Sequence, residues 1–188
     1  GERLNLTGDL GFVFNKSYAD LRGKGYVQVV GAGPTDVQMP MTWGSHASRL
    51  TKLLLEGHGR PEIDEKVNLD PESFDRIVTW IDINAPYYPT YAGGAYRDNP
   101  YGRSPLSSAE LDQLSALLGT KVDHRQFHDV SFNCPELSPC LAEMRTSDPP
   151  KYQEALALVR LGRDRLQTTP RADMPGFQLE PSSEVAKE

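Results

Sequence analysis

Two cysteines, two tryptophans and four histidines in 188 residues leave little room for several kinds of site. G-x-S-x-G, the phosphate-binding P-loop, H-E-x-x-H and C-x-x-C are all missing, so no catalytic set is proposed from the residues themselves. Acidic residues outnumber basic ones, and the net charge of −6 argues against a nucleic-acid binder, which needs a basic face. No apolar run approaches the length of a membrane span. The first residue is Gly rather than Met, and we expect the chain to be a processed or cut product.

What the chain does have is enough apolar residue to fold, 38% hydrophobic against 24% charged. Its 16 glycines and 15 prolines predict long irregular connections between short helices. The strongest pattern is Phe74 to Tyr88. Asp70 is a good N-cap, Pro71 suits the first helical position, and Glu72 suits the positive end of the dipole. Phe74, Ile77, Val78 and Ile81 recur on one face, Trp80 widens it, and Asn84-Ala85-Pro86 ends the helix. Upstream, Ser45 can cap another helix, with Leu50, Leu53, Leu54 and Leu55 as its apolar face and Gly57 as its stop. The two stripes are expected to pack on each other.

Elsewhere the signals are shorter. Leu4, Leu6, Leu10, Phe12 and Phe14 alternate with polar or small residues and predict a strand or an extended segment. A capping box at Ser17 to Asp20 predicts a helix over about 18–22, and Tyr26 to Val30 reads as a strand. Gly31-Ala32-Gly33 is followed by Pro34 rather than by an amphipathic helix, so it carries no nucleotide signal. Ser107 and Glu110 form a second capping box before Leu111, Leu114, Leu117 and Leu118, with Gly119 as the stop. A further helix runs from near Asp148-Pro149-Pro150 to near Thr168 on Tyr152, Ala155, Leu156 and Val159, with Leu166 continuing the stripe. The fold class is therefore mostly α with long loops and minor strands.

The candidate site residues are few. His46 and His58 are too far apart for an H-x-x-x-H metal pair. Cys134 and Cys140 can be a small-loop disulfide or two thiols. With His124 and His128 they could also form a Cys2His2 zinc set, in an order that matches no known module. The loop PYYPTYAGGAY, from Pro86 to Tyr96, is either a cover over the core or an exposed aromatic binding surface.

Several separate blocks, in order, carry a family resemblance. ERLNLTGD, FNKSYADL and KGYV open it. GSHASRLTKLLLEGH and FDRIVTWIDINAPYYPTY follow, then NPYGRSPLSSAELDQL, PELSPCLAEM and RADMPGF. Together they resemble exported planctomycete-type proteins related to the hydrazine synthase alpha subunit. The resemblance implies a cytochrome c-like helical domain over 1–91, a small helical C-terminal lobe over 92–178, and a tail over 179–188. It also implies a covalent haem c in the full-length parent, attached by a CxxCH motif a few residues before Gly1, and a periplasmic or otherwise exported location. This chain contains no CxxCH.

By position in that layout, His58 is the candidate axial haem ligand and so the candidate metal ligand. Met39 and Met41 are the thioether alternatives, and Trp43, His46 and Trp80 are candidate pocket residues. The implied function is electron transfer, with redox partner proteins or adjacent domains of the same chain as partners. A domain of a multihaem oxidoreductase is a weaker implication. The alternative is a haem-less protein- or carbohydrate-binding module that uses the Tyr-rich loop.

Overall fold

The protein was studied as a computed structural model, which describes residues 4–30, 37–57, 59, 69–88, 102, 104–122 and 130–178. It is mostly α, as the sequence predicts. The described residues form six α-helices: α1 (Lys16–Gly23), α2 (Arg49–Glu56), α3 (Pro71–Asp82), α4 (Ser108–Leu118), α5 (Met144–Ser147) and α6 (Pro149–Thr168). Two short 3-10 turns, Pro135–Leu137 and Pro139–Leu141, precede α5. Among the described residues none of the helices is long and apolar enough to cross a membrane.

The chain divides into two compact units, Gly1–Asn5 with Tyr18–Tyr87, and Leu6–Ser17 with Tyr88–Glu188. The predicted division at Tyr91 thus differs at the start of the chain, where Leu6–Ser17 belongs to the second unit. The reason is local pairing. The Phe132 amide donates to the Leu10 carbonyl at 2.9 Å. The Leu10 amide donates to Asn133 Oδ1 at 3.1 Å, and Phe12 and Val13 are buried in the second unit's core. The predicted alternation over residues 1–15 fails for the same reason. Neighbours Phe12 and Val13 are both buried while Leu6 is exposed, and the segment folds back on itself through an isolated bridge between Leu10 and Asn15.

In the first unit, α3 begins where its cap predicts. Asp70 Oδ1 accepts from the Ser73 amide at 2.9 Å, and Pro71 is the first helical residue. The helix closes through Asn84 and Ala85, both at positive φ. The Ala85 amide donates to the Trp80 carbonyl and the Trp80 indole Nε1 to the Pro86 carbonyl. Tyr18 on α1 locks this end, because its buried hydroxyl donates to the Ala85 carbonyl at 2.8 Å. Asp20 does not close a capping box with Ser17. It is buried and accepts from the Asn5 amide at 2.8 Å and from Lys24 Nζ at 2.7 Å.

Tyr26 to Val30 is not a strand. Its backbone partners are a turn and a helix start: Leu50 N donates to Tyr26 O, Gly44 N to Gln28 O, and Gln28 N to Ser48 Oγ. Backbone groups satisfied in this way have no need of a second strand. The small core here is Val27, Ile81 and Ala85, with Leu21, Val29, Leu50, Ile77 and Trp80 packed around it. The helices α2 and α3 thus share this cluster with the Val27 segment, through Leu50 on one and Ile77, Trp80 and Ile81 on the other. Leu53, Leu54, Phe74 and Val78 stay half-buried, and Leu55 is exposed.

The second unit has the larger core. Leu111 and Leu114 of α4 and Tyr152, Ala155, Leu156, Leu158, Val159 and Leu166 of α6 converge on Phe12, Phe132 and Leu141. The start of α4 is the predicted capping box, with the Ser107 amide donating to Glu110 Oε2 at 2.7 Å, and Gly119 ends it in the left-handed conformation. Glu110 also takes a two-pronged ion pair from Arg165 of α6, at 2.6 and 2.8 Å.

This pairing makes the unit acid-sensitive in a defined window. The Arg165 guanidinium, with help from Ser107, lowers the Glu110 pKa from 4.5 to about 2. A group whose folded pKa is depressed adds stability above its unfolded pKa and loses it as pH falls through the folded value. Glu110→Gln is therefore expected to cost about 1–2 kcal/mol at pH 7, the scale of a lost cap plus a solvent-screened pair. In urea unfolding the gap between variant and wild type should narrow from pH 4.5 downward and close near pH 2. A gap that stays constant over that range would show that Glu110 acts only by shape.

Candidate functional site

The two sequence blocks GSHAS and WIDINAP are tied together by one side chain. Asp82, the last residue of α3, accepts from the Ser45 amide at 2.7 Å and from Ser45 Oγ at 3.0 Å. Its neighbour Gly44 has φ +75, and a Cβ there would lie 2.7 Å from Asp82 Oδ1, so only glycine fits. Ser45 is thus committed to Asp82 and does not cap α2. The helix starts three residues later than its sequence predicts, at Arg49 with Ser48 in the cap position, because Ala47 N closes a turn onto Gly44 O first. Ser48 at the N-cap position is also diverted: its hydroxyl donates to the Gly44 carbonyl at 2.7 Å.

Just before this clamp lies a second turn, Met39-Pro40-Met41-Thr42. Thr42 N and Thr42 Oγ1 both donate to the Met39 carbonyl, at 3.3 and 2.8 Å. Proline at the second position and a positive φ at the third give it the form of a type II turn. The third residue is Met41, with φ 66, where glycine is the usual choice. Holding a residue with a Cβ in this region costs roughly 1–2 kcal/mol. The turn presents its side chains outward: Met39 is 70% exposed, Met41 65% and Trp43 37%. His46 is exposed as well, on the turn that Asp82 anchors.

Met39, Met41, Trp43 and His46 are all exposed residues of the first unit. Trp80 is half-buried at the end of α3, edge-on to Tyr18 at 6.2 Å. The groove beside it is lined by Glu72, Asp75, Arg76, Thr79, Trp80 and Ile83, and by none of the other predicted residues. His58 lies outside the described residues, as do His124, His128 and 89–101 of the Tyr-rich loop. In the second unit, Cys134 and Cys140 are not joined by a disulfide. Cys134 is the exposed residue ahead of one 3-10 turn, whereas Cys140 lies within the other and packs against the core.

Asp82 was missed because an acid on a helix face is solvated by default, and only the glycine-serine pair needing an acceptor signals its anchoring role. Thr51 is buried in α2, and its hydroxyl has no hydrogen-bond partner among the described residues. Comparison with family models, with curated proteins and with solved structures matches nothing to this chain.

Proposed function

We propose that the chain is the part of a c-type cytochrome-like electron-transfer module that follows the haem attachment site, within a longer exported protein. The observation that carries this reading is the accessible apolar side chains of the first unit. Leu53, Leu54, Phe74 and Val78 on two amphipathic helices are only half-buried, and Met39, Met41 and Trp43 are exposed. An amphipathic stripe normally buries itself, so a face left open in this way suits a flat apolar group laid over it. The orphaned Thr51 hydroxyl fits the same account, since a buried hydroxyl without a partner is costly and a completed pocket can supply one.

The donor types available suit haem iron, which takes imidazole and thioether ligands. His58 would hold the metal, with Met39 or Met41 as the thioether alternatives, and Trp43, His46 and Trp80 are the pocket residues that the resemblance implies. When bound, the haem would supply a one-electron redox centre. The chain's own work is to position and exclude: the Asp82 anchor fixes the turn that carries Trp43 and His46, and the helix stripes keep water from the macrocycle. Electrons would pass to redox partner proteins or to adjacent domains of the same chain.

The test uses the longer protein with its upstream segment, produced under conditions that attach haem. Covalent haem and a c-type visible spectrum are expected. His58→Ala should alter that spectrum and shift the reduction potential, while Met39→Ala and Met41→Ala leave both unchanged. Absence of covalent haem overturns the reading. An unchanged spectrum in His58→Ala, with a change in either methionine variant, transfers the ligand role to that methionine.

A further inference from the structure

A cavity of about 410 Å3 lies at the C-terminal end of α6, in the second unit. Its size is within the roughly 300–1,000 Å3 that small-molecule sites occupy. Ser104 and Pro105, ahead of α4, line it together with Asp164, Arg165, Leu166 and Thr169 at the close of α6. Two of these residues carry opposite charges, and each keeps one edge unused. Arg165 gives Nη1 and Nη2 to Glu110, and Nη1 also to the Pro105 carbonyl. The side edge of its guanidinium, Nε–H with the second Nη2–H, has no partner among the described residues. Asp164 accepts at Oδ1 from Nε and Nη2 of Arg163, at 2.9 and 2.8 Å, and its Oδ2 has no partner among the described residues. We propose that this cavity binds a free α-amino acid with an apolar side chain, its carboxylate on the side edge of Arg165 and its ammonium on Asp164 Oδ2.

Charge balance selects the class of ligand. Glu110 offsets Arg165 and Arg163 offsets Asp164, so a ligand of one sign would leave its charge unbalanced. A zwitterion brings both signs and no net charge. The guanidinium has five N–H donors in a planar fork, so a second carboxylate fits beside the one that Glu110 supplies. The ammonium finds further acceptors at the helix end. The Leu166 carbonyl lacks its usual donor, because the residue four positions on is Pro170, which has no N–H. The C-terminal end of a helix also favours positive charge. Ser104 Oγ donates to the Leu106 carbonyl and keeps its lone pairs, while the Thr169 hydroxyl has no partner among the described residues. Pro105 and Leu166 are buried residues and supply the apolar wall against which a hydrocarbon side chain packs.

The test titrates the nitrogen-15-labelled 188-residue chain with L-leucine and with L-phenylalanine at pH 7, followed by amide resonances. The Ser104, Asp164, Arg165 and Thr169 amides should shift saturably at millimolar amino acid. Two leucine analogues dissect the contacts: leucinamide lacks the carboxylate, and 4-methylpentanoate lacks the ammonium. Each should bind at least tenfold more weakly than leucine. Asp164→Asn and Arg165→Lys should each weaken leucine binding at least tenfold. Asp164 is exposed, so Asp164→Asn is expected to fold, and the analogues test both contacts without any variant. No shift of these amides with either amino acid at tens of millimolar would overturn the proposal. So would leucinamide or 4-methylpentanoate binding as tightly as leucine, or undiminished leucine affinity in Asp164→Asn. None of these outcomes bears on the haem reading, which is decided by the spectrum of the longer protein.

Discussion

Replacing Arg171 by Met is expected to destabilise the second unit by about 3–5 kcal/mol, the usual loss when one partner of a buried charge pair is removed. Arg171 is 1% exposed and is the largest fully buried side chain among the described residues. Its guanidinium donates to the Gly11 and Phe12 carbonyls at 2.9 and 2.6 Å, and grips Asp173 through Nε and Nη2 at 3.1 and 3.0 Å. Methionine fills much of the volume but donates nothing. The two carbonyls lose charge-assisted bonds, and the buried Asp173 carboxylate loses its counter-charge. A domain's whole stability is only about 5–15 kcal/mol, so the effect is a large share of it. Urea unfolding followed by circular dichroism measures it. Arg171→Lys should fall between the two, because an ammonium keeps the charge but cannot reproduce the planar fork. Adding Asp173→Asn to Arg171→Met should recover part of the loss, since both charges are then gone. A loss below about 1 kcal/mol in Arg171→Met would show that the fork is dispensable.

Arg171 also marks where sequence reasoning stops. Its partners lie 159 and 160 residues away, and no local pattern points to them. The helices with local signals were legible. The Asp70 cap, the Ser107–Glu110 box, the left-handed Gly119 and the Asp148-Pro149 start all stand where residue chemistry puts them. These features are settled by neighbours within four residues. The failures are all cases in which a distant partner captured a local group. Ser45 was a valid cap until Asp82, 37 residues on, took both its donors. Tyr26 to Val30 had strand composition, but a helix start took its carbonyl. The two leucine- and isoleucine-rich stripes predicted a helix pair, and the cluster they share also takes in the distant Val27.

The candidate site was legible in a different measure. Position in the family layout, as the resemblance implies it, singled out Met39, Met41, Trp43 and His46, which lie within eight residues of the first unit. Their exposure was not legible. Methionine and tryptophan ahead of a helix are core residues by habit, and only the type II turn with Met41 at positive φ turns them outward.

The second large effect is expected at Phe132, and it comes with a reversal of sign at its neighbour. Phe132 is 1% exposed and meets Phe12 edge-on, with ring centroids 5.4 Å apart. The ring rests on Gly162 in the middle of α6. A Cβ at that position would collide with the ring edge and sit 3.0 Å from Phe132 Cδ1. Phe132→Ala empties the centre of the core and should cost about 3–5 kcal/mol. Gly162→Ala alone sets two effects against each other. Alanine favours a helix interior over glycine by about 1 kcal/mol, whereas forcing a methyl into a packed core costs about 1–3 kcal/mol. The collision is with a ring that has no room to retreat, so the clash prevails and Gly162→Ala should destabilise. Once Phe132 is alanine the obstruction is gone, and only the helix preference remains. Gly162→Ala should then stabilise the Phe132→Ala protein by up to about 1 kcal/mol. A double-mutant cycle in urea measures all four proteins. If Gly162→Ala has the same sign in both backgrounds, the glycine is not the seat of the ring, and the close approach of α6 to Phe132 has some other cause.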